Sequence, residues 1–179
     1  MGHADTRTRI QKVALRLFND KGYDATSLRE IADEIGVTKA ALYYHFKTKE
    51  DIVTSLVEDR TAVIERLMGW SRTLPHTTEG RRAFITRYAE ELHVAGVMET
   101  MQFFERNPTA LKDHPSAKRM RDAMISLVDS LAPPGAPLAE RLRYNMAIFA
   151  MHASFFLLRD VDDEERKQAA LEVALDLVN

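Results

Sequence analysis

Residues 22–51 read GYDATSLREIADEIGVTKAALYYHFKTKED, and this stretch contains two short helical patterns separated by one glycine turn. Ser27 and Glu30 have the spacing of a capping box at the start of the first pattern. Gly36 can adopt a positive φ, which lets the next helix leave the turn at a steep angle. Thr38 can cap that next helix. With the amphipathic helix that precedes residue 22, these patterns predict a helix-turn-helix of three helices.

The outward face of the helix after the turn suits the major groove of DNA. Lys39 can donate to guanine O6 and N7, Thr38 can bond a base or a phosphate, and the Ala40 methyl can contact a thymine methyl. Helix starts and nearby cations offer amides, hydroxyls and positive charge to phosphates. The predicted DNA-binding residues are Thr26, Ser27, Arg29, Thr38, Lys39, Ala40, Tyr43, Tyr44, His45, Lys47 and Lys49.

Each of these residue types also has an ordinary structural explanation. The aromatic run at residues 43–46 can be simple packing, which is the interpretation we favour for Phe46. The lysines can belong to a solvated face. The prediction of DNA binding therefore depends on all of these residues occurring together in this order, and not on any single one. Residues 1–49 hold nine Lys or Arg and six Asp or Glu, a net charge of +3, whereas the remainder carries −5. This asymmetry favours an anionic partner at one end of the chain.

Helical spacing of apolar residues continues to the end of the chain. Seven glycines and six prolines in 179 residues are too few for many short strands. Pro115 suits the first position of a helix, and PPGAP at residues 133–137 is the clearest linker. We therefore predict an all-α protein of about nine helices. A helix-turn-helix domain would occupy residues 1–49 and a second helical domain residues 50–179, with the fourth helix, from residue 48, connecting them.

The stretch GYDATSLREIADEIGVTKAALYYHFKTKEDI, residues 22–52, resembles the DNA-binding domain of the TetR (tetracycline-repressor) family of bacterial transcription regulators. The match has no gaps, and its most specific part is GV-T/S-K-x-x-LYYHF-x-x-K-E/D. This resemblance implies a homodimer that pairs through its last two helices and binds a palindromic operator in double-stranded DNA. It also implies that an unknown small-molecule ligand in the C-terminal domain releases the DNA. The implied function is therefore a ligand-released repressor, with an activator of the same family as the alternative.

The last two predicted helices carry apolar residues on more than one face. Examples are Met146, Phe149 and Leu157 on one helix and Ala174 and Val178 on the other. A single small domain cannot cover all of these residues. The pattern therefore also predicts a two-fold homodimer with two helices from each subunit in its interface.

The resemblance places a ligand in the C-terminal domain, where large, soft or polar residues on apolar faces are candidates to line its pocket. Met and aromatic side chains adapt to varied ligands, although such a stripe is more often simple core. The ring nitrogens of His152 need a neighbour, a water or a ligand, and we favour a neighbour. The candidates are Tyr88, His93, Met98, Met101, Phe103, Phe104, Met124, Met151, His152 and Phe156.

An enzymatic function has little support in the sequence. The absence of Cys excludes disulfides, thiolate metal sites and a Cys nucleophile. Glu90-x-x-His93 is half of a di-iron pattern without a second copy, so we expect no catalytic residue, metal or cofactor. The remaining alternative is a helical-bundle enzyme or interaction protein with a chance helix-turn-helix-like start. The polar N-terminus and apolar stretches shorter than about 20 residues predict no membrane span and an intracellular protein. The resemblance implies a location in the bacterial cytoplasm, at the nucleoid.

Overall fold

The structure is a computed structural model that describes residues 3–94, 97–107 and 115–179, apart from the side chains of residues 3–5 and 98. Within these ranges the chain forms nine helices and no strand. This confirms the predicted all-α class and the approximate number of helices. The helices are α1 (His3–Lys21), α2 (Leu28–Ile35), α3 (Lys39–His45), α4 (Lys49–Ser71), α5 (Thr78–Leu92), α6 (Val97–Arg106), α7 (Pro115–Asp129), α8 (Leu138–Leu157) and α9 (Asp163–Leu177).

Local side-chain caps fix the starts and the turn of α2 and α3. The Ser27 hydroxyl accepts a hydrogen bond from the Glu30 amide at 3.2 Å, and the Glu30 carboxylate accepts one from the Ser27 amide at 2.9 Å. Gly36 ends α2 with a φ of 74° in the left-handed region, as the turn requires. The Thr38 hydroxyl then accepts from the Ala41 amide at 3.2 Å and starts α3. The predicted capping box, glycine turn and second cap are therefore all present.

The chain divides into two compact units, a first unit of residues 1–60 and 96–119 and a second unit of residues 61–95 and 120–179. In the first unit, helix α6 packs on α1. The ring of Phe103 on α6 lies 5.5 Å from that of Phe18 and 5.8 Å from that of Tyr23, measured between centroids. Helix α6 therefore contributes to the same core as the helix-turn-helix. The largest fully buried side chains of this core include Ile10, Phe18, Ile31, Leu42, Ile52 and Phe103.

A buried polar network joins α1 to α4 inside the first unit. The Gln11 amide nitrogen donates to the Ser55 hydroxyl at 2.9 Å and to the Asp59 carboxylate at 2.6 Å. Arg7 also donates to Asp59, at 3.4 Å. Gln11 and Ser55 are buried, so removing either side chain would break a buried hydrogen bond. The network ties α1 to residues 55–59 of α4.

The second unit has an aromatic and aliphatic core contributed mainly by α5. Its fully buried side chains include Phe84, Ile85, Tyr88, Leu92 and Leu127. Near the start of α5, Gly80 packs directly against the backbone of Pro75. A Cβ added at Gly80 would lie 2.1 Å from the Pro75 carbonyl oxygen, far inside van der Waals contact. Only glycine fits this close approach without movement of the backbone.

Helix α8 leaves a row of large apolar side chains exposed. Residues 138, 142, 146, 149 and 157 follow helical spacing along one side of it, and Leu157 is 78% exposed. By contrast, Ala174 on α9 and Val178, the residue that ends α9, are fully buried within the chain, so these two residues do not belong to an exposed face. None of the described helices is both long enough and apolar enough to cross a membrane.

Candidate nucleic-acid interface

Helix α3 presents a basic and hydroxyl-bearing face to solvent. Thr38, Lys39 and Ala40 are exposed, and Tyr44 is 71% exposed. The Lys39 ammonium lies 5.3 Å from the centroid of the Tyr43 ring, a cation–π contact that keeps the charge at the surface. The first turn of α3 contains no acidic residue. This face can therefore offer hydrogen bonds and positive charge to an anionic surface.

The opposite face of α3 is held by the core of the first unit. Leu42 is fully buried, and Phe46, the residue that ends α3, is buried as well, which confirms its interpretation as packing. Arg9 on α1 donates to the Ile35 carbonyl at the end of α2, at 3.2 Å. A helix of seven residues has little stability of its own. These contacts therefore set the position of the exposed face.

Cations neutralise the carboxylates of α2, next to α3. The pairs are Arg16 with Glu34 at 2.5 Å, Lys21 with Glu30 at 3.2 Å, and Arg29 with Asp33 at 3.8 Å. Both members of the Arg29 pair are strongly exposed, and such surface pairs contribute little to stability. Arg29 can therefore exchange its carboxylate for a phosphate at small cost.

The two predicted hydroxyl contacts before α2 are already engaged within the protein. Thr26 is 2% exposed, and its hydroxyl lies 2.9 Å from the Gly22 carbonyl oxygen and 3.3 Å from that of Leu17. Its side chain therefore holds the turn before α2, and this placement does not support the predicted contact between the Thr26 side chain and DNA. Ser27 is exposed, but its hydroxyl already accepts from the Glu30 amide and donates to the Glu30 carboxylate at 3.1 Å.

Lys49, at the start of α4, binds the turn between α1 and α2. Its ammonium donates to the carbonyls of Tyr23 at 2.6 Å and Asp24 at 3.3 Å, and it lies 4.5 Å from the centroid of the Tyr23 ring. Burial, assisted by the nearby carboxylates of Glu50 and Asp24, raises the pKa of Tyr23 to about 12. The phenol therefore stays neutral under the lysine. Lys49 is half-buried and anchors the α1–α2 turn, a role that its sequence position did not indicate.

The remaining predicted residues lie at the end of α3. The Lys47 ammonium donates to the Tyr43 carbonyl at 2.6 Å, where a cation also meets the negative end of the helix dipole. Lys47 is exposed, and the half-buried His45 packs edge-on against the Tyr44 ring at 5.4 Å. The structure thus brings Lys39, Tyr44, His45 and Lys47 together on and just after α3.

The predicted pocket residues separate into two groups. In the second unit, the Tyr88 hydroxyl lies 2.7 Å from His152 Nε2 and 3.7 Å from the Met124 sulfur. This neighbour satisfies one ring nitrogen of His152, as we favoured. Met151 is buried and Phe156 half-buried in the same unit.

Helix α6 carries the other group, in the first unit. Phe103 is fully buried against Phe18 and Tyr23, so its side chain is core beneath the helix-turn-helix. Met101 and Phe104 are half-buried, and the Phe104 ring contacts Phe103 at 5.8 Å. The side chain of Met98 lies outside the described residues.

His93 has one satisfied and one unsatisfied ring nitrogen. Nδ1 lies 2.7 Å from the Ala89 carbonyl, so it carries a proton and donates it, and the ring packs on Phe155 at 5.8 Å. Nε2 is buried and has no hydrogen-bond partner in the part of the chain that the structure describes. In that same part, His, Asp and Glu form no cluster that could hold a metal ion.

Sequence reasoning missed one charged residue of interest, Arg60 on α4. Its two terminal guanidinium nitrogens are buried without hydrogen-bond partners among the described residues. A signal for it existed in the sequence. Residue 60 continues the spacing of the apolar positions Val53, Val57 and Ile64, all of which are buried.

Comparison with known proteins matches the region built around α3. Residues 10–56 match the family described as bacterial regulatory proteins, tetR family. The chain is 50% identical over 54 residues to the HTH-type transcriptional regulator AcrR of Shigella flexneri, covering 30% of this chain and 25% of AcrR. It is 28% identical over 117 residues to the HTH-type transcriptional repressor KstR2 of Mycolicibacterium smegmatis, covering 57% of each chain. The chain thus spans less than two thirds of either relative.

A solved structure extends the likeness in fold to nearly the whole chain. AibR, determined in complex with isovaleryl coenzyme A and operator DNA, superposes with a TM-score of 0.61. The alignment covers 92% of this chain and 95% of AibR at 20% sequence identity. At this identity the similarity establishes a shared fold.

Proposed function

Because residues 10–56 match the bacterial regulatory proteins of the tetR family, we propose that this chain is a homodimeric transcriptional repressor that a small molecule releases from a palindromic operator. The observation that carries the proposal is the exposed basic face of α3, seated on the buried Leu42. A repressor is favoured over an activator because KstR2 is named as a repressor. The protein would act without catalysis, in the cytoplasm at the nucleoid.

The side chains of the interface would divide between bases and phosphates. Lys39 and Ala40 lie on the exposed face of α3 and would contact base edges in the major groove. Thr38, Tyr43 and Tyr44 would contact bases or the adjacent backbone. Phosphates would be bound by the cations and groups at the rim, namely Ser27, Arg29, His45 and Lys47, whereas Lys49 would hold the turn before α2.

The exposed apolar row of α8 would form the dimer interface together with α9. Leu142, Phe149 and Leu157 are too large and too exposed for a typical monomer surface. A stable interface buries about 1,200–2,000 Å² in total. Two-fold symmetry would then place two α3 helices on half-sites about 34–36 Å or more apart.

Ligand release would operate through α4. We assign residues 1–49 to DNA binding and residues 50–179 to regulation, with the cluster of Tyr88, His152 and Met124 as the candidate ligand contact. AibR is described with both a coenzyme A thioester and operator DNA. Helix α4 has 23 residues, so it is about 34 Å long. A small tilt at its far end would move its start, and with it helix α1, which Gln11 ties to α4, by several ångströms.

Footprinting on the DNA that flanks the gene, followed by titration of the site found, tests the proposal. We expect two protected half-sites related by a two-fold axis. Lys39→Ala should weaken the cognate site by about 1–3 kcal/mol and leave random duplex nearly unchanged. Lys167→Ala is the matched control, since Lys167 lies on α9 in the second unit. Equal losses on cognate and random DNA for Lys39→Ala would contradict the assigned role, and salt-independent binding would contradict the proposal itself.

A further inference from the structure

Arg9 on α1 uses only part of its guanidinium to hold the end of α2. Its Nη2 donates to the carbonyl of Ile35, the last residue of α2, at 3.2 Å. Its Nε and Nη1 make no hydrogen bond within the described chain and are not among the buried polar atoms that lack one, so both reach solvent. Because an arginine side chain has five N–H donors, the donors on these two nitrogens are available to a second acceptor.

Arg9 also differs from neighbouring arginines of α1 in its charge pairing. Arg7 forms an ion pair with Asp59, and Arg16 forms one with Glu34. Among the residues that the structure describes, Arg9 has no carboxylate partner. A guanidinium keeps its charge at every pH at which a protein is folded. Arg9 therefore presents a positive charge that the described protein does not neutralise.

The start of α1 borders both ends of α3 within the first unit. Arg9 contacts Ile35, three residues before Thr38, the residue that caps α3. Two residues earlier in α1, the Arg7 guanidinium lies 5.6 Å from the ring centroid of Phe46, the residue that ends α3. Arg9 therefore lies at the turn that leads into the helix proposed to contact base edges.

A phosphate that approaches this turn would otherwise meet the negative end of α2. The last carbonyls of a helix have no partner within it and carry partial negative charge. The last turn of α2 contains no basic residue, so Arg9 supplies the missing cation from another helix. The bond to Ile35 also holds the guanidinium in place, which lowers the entropy lost when a second acceptor binds.

We propose that Arg9 binds a phosphate of the DNA backbone next to α3, and that it is a residue of the interface outside α2 and α3. The guanidinium bridges the Ile35 carbonyl and a phosphate oxygen, and its planar fork suits phosphate. Contacts to phosphates fix the register of a protein on the duplex, so this bridge sets how α3 enters the groove. The inference rests on the DNA-binding part of the proposed function and is independent of the dimer and the ligand.

The salt dependence of binding to a random-sequence duplex tests this contact without knowledge of the operator. The affinity of the full-length chain is measured by fluorescence anisotropy between about 50 and 200 mM salt. Arg9→Met should lower the salt slope by about 0.9 for each subunit that contacts the duplex, and weaken binding about tenfold or more at low salt. Arg9→Lys keeps the charge without the fork, so it should retain the slope and bind more weakly than the wild type.

Arg106→Met is the matched control for the structural part of the effect. Arg106 is exposed on α6 in the same unit, and its Nη1 donates to the carbonyl of Asn19, in the last turn of α1, at 3.0 Å. Each variant thus loses one bond from a guanidinium to a carbonyl at the end of another helix, and we expect similar falls in Tm. Only Arg9→Met should change the salt slope.

Replacement of single phosphates by neutral methylphosphonates gives a second measurement, which does not depend on the stability of Arg9→Met. It is made on the operator, once footprinting has located it. The wild type should lose about tenfold in affinity at the phosphate that Arg9 binds in each half-site. Arg9→Met should be insensitive to the same replacement, since it no longer makes that contact.

The outcomes separate this inference from the proposed function. An unchanged salt slope in Arg9→Met would overturn the inference. An equal fall in slope for Arg106→Met would overturn it as well, because the effect would then come from the lost helix-end bond. The same sensitive phosphates in the wild type and in Arg9→Met would have the same consequence. If the wild type itself bound no duplex, the proposed function would fail together with this inference.

Discussion

Lys49 offers the sharpest test of the interface, because the sequence predicts that it binds phosphate whereas the structure shows it bonded within the protein. Its position at the start of α4 predicts a phosphate contact. In the structure its ammonium instead donates to the carbonyls of Tyr23 and Asp24 and lies over the Tyr23 ring. Lys49→Met keeps the aliphatic stem and removes the charge, so it separates the two roles.

The expected loss of stability follows from these contacts. A hydrogen bond to a charged group contributes about 1.5–3 kcal/mol, and an exposed cation–π contact about 0.5–1 kcal/mol. Only the bond to Tyr23 is both short and partly buried, at 2.6 Å, and Lys49 itself is half-buried. We therefore count one bond and the ring, for a loss of about 2–4 kcal/mol. In a chain of this size that loss lowers the Tm by roughly 4–16 °C.

Two measurements on Lys49→Met decide between the roles. Urea or thermal unfolding gives the change in stability, and DNA affinity as a function of salt gives the number of phosphate contacts. An anchoring lysine lowers stability and leaves the salt slope intact, whereas a phosphate contact lowers the slope by about 0.9 and leaves stability intact. Lys47→Met is the matched control, since Lys47 is exposed just after α3 and donates to the Tyr43 carbonyl of that helix; as a phosphate contact it should lower the slope and leave stability nearly unchanged. Unchanged stability in Lys49→Met would refute the anchoring argument.

Three further predictions concern the core, the cap and the dimer. Gly80→Ala should destabilise the protein by about 1–3 kcal/mol or more in urea unfolding, because its Cβ would meet the Pro75 carbonyl oxygen at 2.1 Å. Gly69→Ala, with open space around it, should stabilise the protein by up to about 1 kcal/mol, and the reverse order would contradict the packing. The backbone amide at the start of α2 lowers the pKa of Glu30, so its contribution to stability is complete above the ordinary glutamate pKa and is lost as the pH falls through the lowered value. Glu30→Gln should lack this acid-side dependence, and an unchanged pH profile of unfolding would argue against it. Phe149→Asp should convert the dimer to monomer in sedimentation, and a dimer that persists would exclude this part of α8 from the interface.

Structural features that depend on a few neighbouring residues were predictable from the sequence. The capping box of Ser27 and Glu30, the left-handed Gly36 and the Thr38 cap each depend on contacts within about four residues. Helix periodicity likewise fixed the all-α class. The exposed face of α3 followed from the same local rules, because burying Leu42 leaves Lys39 and its neighbours on the outside.

Features that depend on long-range contacts were not predictable in this way. Phe103 was a candidate for the pocket, yet its ring packs on that of Phe18, a residue on α1 that is distant from it in the sequence. Thr26 carries a hydroxyl at a helix start, but the turn buries it. Ala174 and Val178 are apolar on a helix with several apolar faces, and only the fold determines which face turns inward. Periodicity identifies a buried face but does not identify its partner.

The single tryptophan makes the second unit optically distinguishable from the first. Trp70 stacks on Phe84 at 6.2 Å, and Phe84 stacks in turn on Tyr88, which is bonded to His152. Tryptophan fluorescence, excited selectively, therefore reports on this aromatic row and carries no signal from the helix-turn-helix. Circular dichroism, by contrast, weighs every helix equally. If the melting curves from the two signals coincide, the two units unfold as one cooperative system. If the curves separate, each gives the free energy of unfolding of one unit.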